Sequence, residues 1–557
     1  MEVDRGHLYP FLRSCFKECV RPAPAVCIRG IIPSWLSGSL LRNGPGLRKI
    51  GNQEFDHLFD GMALMQKIEI RNGSVYYSSR FLKSDSFTKN MKNERIVVSE
   101  FGTRATHPDP CLTLWQKFRN YFLLEDVFTD NCLVTYYPIG DALYAATDSP
   151  LIRRIDPDDL ETMEKVNLYE VTGVNTMTSH AHVDAMGNTY NMGSNLGTYN
   201  IVMFPKKSAF KEATILCQIP VSRPLTPSYY HSFGMTDSYF VMIEQPFVVS
   251  IPRLLYEHRV KRGTTSNVWK WREGEETRFF IVDRKRNQLL RTKYMAKPFF
   301  FFHMINTYED RGHLVVDVVT YDNADMVQAF FTESIRQSAS NAQHAAQMAK
   351  HLWCQPQRFV IPLLELSPCD NYAASGAIFN GLSYKLGDDM VQLEDCSGRA
   401  ILEKERIFLM PESLTRAGES AGEMPTINYD QKNGKKYRYF YGLKKKEATT
   451  GLMKCDTLNR STKCWHESGS YASEPIFVAR PAADSTARIP TRRTETMSTT
   501  EESEDDGVVL SLVISESDEQ KGFLLVLDAK TMKEVARAEF ASHSALTPTF
   551  HGLFLRS

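Results

Sequence analysis

Four widely separated segments repeat one pattern: an apolar strand, an Asp, a short polar turn and a returning strand. They span 151–163, 279–287, 452–460 and 523–532, with Asp156, Asp283, Asp456 and Asp528 at the turns. An Asp at a strand end can accept a hydrogen bond from its own backbone two residues on, and so start the turn. Further short apolar runs lie at 239–243, 314–319 and 508–514. Short strands joined by hairpins and spread along a whole chain favour an all-β propeller, whose blades hide most strand edges. A large β-sandwich or barrel is the competing arrangement. The 557 residues would ordinarily divide into several domains. A propeller can run long as one, so a single domain over 1–557 is expected.

Three stretches break the rhythm. Residues 329–353, rich in Ala, Gln, Ser and His, have helical composition and predict a helical insertion above the blades. Residues 481–506 are crowded with Ser, Thr, Glu and Arg and carry few apolar side chains, which predicts a disordered surface loop. In 111–124, Leu114, Trp115, Phe118, Tyr121 and Phe122 recur at helical spacing with Lys117, Arg119 and Asn120 between them. Such a segment suits a helix lying in a membrane interface, or an ordinary amphipathic core helix. No apolar run approaches the ~18 residues of a membrane span, and the first residues lack the basic and apolar regions of a secretory signal. The expectation is a protein that is soluble or attached to one membrane leaflet.

Lys plus Arg (66) equals Asp plus Glu (66). A chain without excess cations is a poor nucleic-acid binder. The eleven cysteines include no C-x-x-C pair, which fits reduced thiols in the cytosol.

The chemistry rests on His180, His231, His303 and His551, each in a strand-like context flanked by Gly or aromatics: Thr178-Ser-His-Ala-His182, Ser228-Tyr-Tyr-His-Ser-Phe-Gly234, Phe301-Phe-His-Met-Ile-Asn306 and Thr549-Phe-His-Gly552. Any one alone reads as a structural imidazole. If all four converge, a site made of neutral imidazole suits Zn, Cu, Fe or Ni. For oxygen chemistry the candidate is iron(II) with positions left open.

Together with these segments, the blocks at 40–46, 57–61, 101–103, 108–111, 306–310, 473–477, 506–510 and 550–554 resemble, in order, the carotenoid cleavage oxygenase family and its retinoid isomerase branch. The likeness runs from about residue 25 to the end. It implies a seven-bladed propeller with a helical dome over an axial iron held by His180, His231, His303 and His551. His182 shares a strand face with His180, but the family uses the first histidine. Ala181 replaces a proline often found there, and Met304 stands where some relatives have another histidine.

Metal-bound imidazoles usually donate their other N–H to a carboxylate or carbonyl, and the resemblance assigns that role to Glu423, Glu474 and Asp148. Asp148 stands where many relatives have Glu, one methylene longer. Its contact to His231 is therefore expected to need a backbone shift or a bridging water. Phe59, Phe101 and Tyr321 match tunnel residues that could steady cationic character along a polyene. Cys111 matches a lipid-attachment cysteine of the retinoid isomerase branch.

The implied activity is Fe(2+)-dependent cleavage of a carotenoid, at its central 15,15' double bond, to retinal, with one iron per chain and O2 as co-substrate. The insect branch adds all-trans to 11-cis isomerisation. Retinyl-ester isomerohydrolysis and eccentric cleavage are the alternatives within the family, and a non-catalytic carotenoid-binding propeller is the alternative from another class. The implied partners are the carotenoid, one leaflet of an intracellular (endoplasmic reticulum) membrane facing the cytoplasm, and retinoid-carrier proteins, with no nucleic acid.

Overall fold

All four Asp turns close as antiparallel hairpins: Leu151–Ile155 with Thr162–Asn167, Thr277–Asp283 with Gln288–Leu289, Thr449–Asp456 with Ser461–Trp465, and Lys521–Asp528 with Glu534–Ala541. Each Asp Oδ1 accepts a backbone N–H: from Asp158 (2.8 Å), Lys285 (2.9 Å), Leu458 (3.2 Å) and Thr531 (2.8 Å). Four residues past each Asp the backbone turns left-handed, at Leu160, Asn287, Arg460 and Met532, with φ of 62°, 53°, 50° and 59°. An L side chain there costs roughly 1–2 kcal/mol. The same strained solution used four times marks one supersecondary unit repeated along the chain.

The computed structural model describes residues 10–105, 128–195, 197–257, 264–364, 377–416, 418–446, 449–481 and 503–557. The segment 111–124, Cys111 and residues 482–502 of the expected loop lie outside them. The end of that loop, 503–506, is anchored. The Glu504 carboxylate accepts the Arg438 and Tyr439 N–H groups, and Asp505 pairs with buried Lys454.

The chain is mostly β, in several sheets whose strand pairs are antiparallel except for Lys293–Ala296 with Arg406–Met410 and Thr449–Asp456 with Ser470–Ala472. Four strands from Thr135–Ile139 to Thr162–Asn167 form one sheet, and Thr176–Met177 through Thr214–Pro220 form the next. Phe300–Asp310, His313–Tyr321, Gln355–Pro362 and Glu412–Ser413 make another. His313–Tyr321 is buried at every residue. Period-two alternation explains how: Leu314, Val316 and Val318 pack into one apolar cluster, while Val315, Val319 and Tyr321 pack into a second on the opposite face. The sheet is thus covered on both sides. Gly552–Arg556 pairs with Gly38–Arg42, so segments from both ends of the sequence share one sheet.

The expected helical insertion forms as Asp325–Ala329, Thr332–Ser340 and Ala342–His351, between two strands of one sheet. Asn341 caps the last of these, its side-chain oxygen accepting the Gln343 N–H at 2.8 Å. Among the described residues, no helix is long and apolar enough to cross a membrane, and the cysteines are free.

Candidate metal centre

Each of the four histidines comes from, or directly adjoins, a different sheet. His180 follows the strand Thr176–Met177, His231 precedes Gly234–Met235, His303 lies within Phe300–Asp310, and His551 precedes Gly552–Arg556. The register of the His303 strand shifts on both sides of Met304, and such bulges re-aim side chains. One ligand atom from each ring lies within 4.8 Å of the other three. His180 Nε2 is 2.9 Å from His231 Nε2, and His303 Nε2 is 3.1 Å from His551 Nε2.

Behind three of the rings stand the expected carboxylates. His231 Nδ1 is 2.7 Å from Asp148 Oδ2, His303 Nδ1 is 2.6 Å from Glu423 Oε2, and His551 Nδ1 is 2.7 Å from Glu474 Oε1. Asp148 makes its contact directly, so the bridging water expected for the shorter side chain is not needed. Burial alone would raise all three carboxyls. For Glu423, His303, the Tyr321 hydroxyl and the Met424 N–H outweigh burial and hold it at about 2. His231 and Ser179 do the same for Asp148, and His551 and Arg42 for Glu474, both held below the usual range.

Ionised carboxylates accept Nδ1–H, which leaves Nε2 of His231, His303 and His551 as lone pairs aimed at one point. Burial, then the neighbouring imidazoles, pushes His180 well below the ordinary histidine value, which favours its neutral form. Converging lone pairs in a buried site repel unless a cation lies between them. The donor set therefore fits a metal ion.

His182 does not join them. Its Nδ1 meets the Tyr429 hydroxyl at 2.9 Å and its Nε2 the Phe233 carbonyl at 2.8 Å. Three further residues belong to the centre and were not picked out from the sequence. Arg42, fully buried, donates to Glu474 Oε2 at 2.6 Å and to the Phe550 carbonyl at 2.6 Å. Tyr229 donates to Asp148 Oδ2 at 2.8 Å, and Ser179 Oγ donates to Asp148 Oδ1 at 2.8 Å. Arg42 had left a signal, as the only charge in the block Leu40-Leu-Arg-Asn-Gly-Pro-Gly46.

A cavity of about 1590 Å3 opens onto His231, His303 and His551, and Phe59, Phe101 and Tyr321 all line it. Phe302, also on its wall, lies 6.2 Å from Phe59 and 5.1 Å from His231, ring to ring, and so links the aromatic wall to the histidines. Tyr321 faces the cavity while donating to Glu423 Oε1 at 2.7 Å. Packed behind the wall rings, off the cavity itself, sits His57, whose ring centre is 4.7 Å from Phe59, 4.9 Å from Phe101 and 4.7 Å from Phe331. Its Nδ1 accepts the Phe59 N–H and its Nε2–H donates to the Val327 carbonyl. Burial depresses its pKa to about 4.

The family model of the retinal pigment epithelial membrane protein (RPE65) matches residues 12–556. A carotenoid isomerooxygenase of Galleria mellonella is 36% identical over 576 aligned positions, covering 100% of this chain and 99% of the relative. The human beta,beta-carotene 15,15'-dioxygenase is 34% identical, covering 97% and 93%. A variant of the Synechocystis apocarotenoid oxygenase has a similar structure, with a TM-score of 0.70 at 18% identity and 98% of each chain covered. A match of this extent, on a chain whose four histidines meet at one point, places the protein in the RPE65 family of carotenoid oxygenases.

Proposed function

We propose that this protein is an iron(II)-dependent oxygenase that cleaves the central 15,15' double bond of a carotenoid into two retinal aldehydes. The observation that carries this reading is the cluster itself: four converging imidazoles, three backed by carboxylates, at the side of a large cavity walled by aromatic rings. The relatives named above act on carotenoids and agree in both length and family. In this reading the sheets form a seven-bladed propeller, the histidines lie on its axis, and the helices at 325–351 belong to the cap.

His180, His231, His303 and His551 would hold one Fe(2+). When bound, iron(II) supplies the one-electron chemistry that lets O2 react with an unactivated double bond. Both oxygen atoms end in products: one C=C and one O2 become two C=O groups, with no net proton transfer. The protein's own part is therefore positional. Phe59, Phe101 and Phe302 hold the polyene by its faces and exclude water. Their ring faces also favour any cationic character that develops along the chain of double bonds. Glu423, Glu474 and Asp148 keep the proton on Nδ1 and leave Nε2 free for the metal.

The 36% identity to an isomerooxygenase over the whole chain favours all-trans to 11-cis isomerisation of one half during cleavage. An apolar substrate must be drawn from a bilayer, and we assign that contact to 111–124, with Cys111 as a site of acylation. In this reading the enzyme works at the cytoplasmic leaflet of an intracellular membrane and hands retinal to a carrier protein.

The test is anaerobic purification and iron quantification, then incubation with β-carotene and O2 and isomer-resolved chromatography. The expected result is close to one iron per chain with retinal formed, part of it 11-cis. Stoichiometric iron with retinyl ester consumed in place of carotenoid would convert the reading to an isomerohydrolase. Protein that binds carotenoid but holds no iron and forms no aldehyde would make it a binding protein.

A further inference from the structure

Among the described residues, His180 alone of the four histidines has no carboxylate on Nδ1, yet its ring is as closely placed as the others. What fixes it lies one residue earlier. Ser179, fully buried, sends both its N–H (2.9 Å) and its hydroxyl (2.8 Å) to Asp148 Oδ1. The other oxygen of that carboxylate, Oδ2, takes His231 Nδ1–H at 2.7 Å and the Tyr229 hydroxyl at 2.8 Å. The Tyr229 oxygen is itself 2.9 Å from His231 Nδ1, so the three groups form a tight triangle. On the far side of Ser179, the His180 N–H donates to Thr178 Oγ1 at 3.0 Å, and that hydroxyl donates to Asn191 at 2.9 Å.

Asp148 thus accepts four hydrogen bonds, two on each oxygen. A carboxylate has about four lone-pair sites, so it is saturated. Among the described residues, neither Lys nor Arg is among its partners. Glu423 and Glu474 have other partners too, but each serves one metal ligand, His303 and His551 respectively. The Gly552 N–H that Glu474 accepts adjoins that same His551. Asp148 instead binds the ring of one ligand and the backbone beside another.

We infer that Asp148, Ser179 and Tyr229 form a shared clasp that positions two metal ligands, His231 through its ring and His180 through its peptide. The inference rests on the metal reading of the cluster. Ser179 and Tyr229 are positioning residues here, since neither is itself a metal ligand. The short side chain is part of the device. A Glu at 148 would carry its carboxylate about 1.5 Å further on, one C–C bond. It could keep the contact with His231 only by leaving Ser179 or displacing Tyr229. Restoring the residue common in relatives should therefore harm this protein.

The experiment measures metal retention and ligand geometry, not turnover alone. Wild type, Ser179→Ala, Ser179→Thr, Tyr229→Phe and Asp148→Glu are each loaded with iron(II), and separately with cobalt(II), whose absorption spectrum reports the arrangement of its ligands. Retention is read against a competing chelator, and melting is followed on the metal-free proteins. Loss of such outer contacts typically weakens metal binding 10–100-fold. Ser179→Ala and Asp148→Glu are each expected to lower retention about tenfold and to shift the cobalt spectrum. Metal-free melting should stay at the wild-type value, and Ser179→Thr, which keeps the hydroxyl, should recover retention. The double variant Ser179→Ala/Asp148→Glu should be little worse than either single one, because both break the same contact.

Wild-type retention and spectra in Ser179→Ala and Asp148→Glu would overturn the clasp alone. A loss of metal-free melting that accounts for the lost retention would also overturn it, since the residues would then be serving the fold. A wild-type protein that takes up neither iron nor cobalt overturns the metal reading, and the clasp with it.

Discussion

The histidine cluster and the aromatic wall border one cavity and are built on opposite principles. In the cluster, each carboxylate comes from far along the chain, 83, 120 and 77 residues from the histidine it holds. Its bonds involve ionised groups in a buried site, so direction and distance both count. In the wall, rings meet edge to face at about 5–6 Å, and His57, packed behind them, bonds only backbone. Dispersion and area are tolerant of small displacements, provided volume is kept. The cluster should therefore fail abruptly when disturbed, with loss of metal, while the wall should fail by degrees with the metal in place.

The largest effect expected is that of His303→Ala. It removes a ligand and strands Glu423, so iron per chain and aldehyde formation should both fall to background. Unimpaired cleavage would show that the chemistry lies elsewhere. Arg42→Met comes next, because it leaves Glu474 without its buried counter-charge. Removing one partner of such a pair costs about 3–5 kcal/mol, to be read from denaturant unfolding of the metal-free protein. Arg42→Met/Glu474→Gln should regain part of that stability without regaining iron, which separates the fold from the site.

The packing behind the wall offers a pH signature. His57 has a folded pKa of about 4 against 6.5 for the free group. The unfolded chain therefore takes up the proton first. Stability linked to His57 is complete above pH ~6.5 and is lost progressively as pH falls towards 4, by up to roughly 3 kcal/mol. In urea unfolding of metal-free protein, the gap between wild type and His57→Gln should narrow over that window. A gap that does not change with pH would mean that the buried imidazole is not neutral. The smallest effect is that of Phe59→Leu, which should cost less than about 1.5 kcal/mol. It should lower turnover several-fold and leave iron unchanged. If iron falls too, wall and cluster are not separable.

The parts of this molecule that could be read from its sequence are those governed by local rules. Asp156, Asp283, Asp456 and Asp528 announced their hairpins because the Asx turn is a contact within a few residues. The helical insertion is legible from composition over 329–353, although its first helix already begins at Asp325. The four histidines could be named from their motifs, but only the fold could bring them within 4.8 Å. His182 shows the limit: by spacing it should face the way His180 does, yet only His182 lies in a strand, and the backbone between the two does not hold the alternation. Arg42, Ser179 and Tyr229 act through contacts up to 508 residues long, which no local pattern encodes. Tyr321 was read as a wall residue, and only its hydroxyl contact revealed its hold on Glu423.

The pairing of Gly38–Arg42 with Gly552–Arg556 has a consequence for how the protein is made. Synthesis is vectorial, and Arg42 must wait for Thr549 and Phe550, its partners 507 and 508 residues later. Until residue 551 has left the ribosome, no nascent chain can present more than three of the four imidazoles. Capture of metal by all four ligands thus waits for residue 551, and closure of the sheet that carries Arg42 waits for residues 552–556. Until then three histidines and unpaired strand edges stand open, exposed to adventitious ions and to aggregation. A cell that makes this protein must shelter a long, partly folded chain up to the moment its fourth ligand arrives.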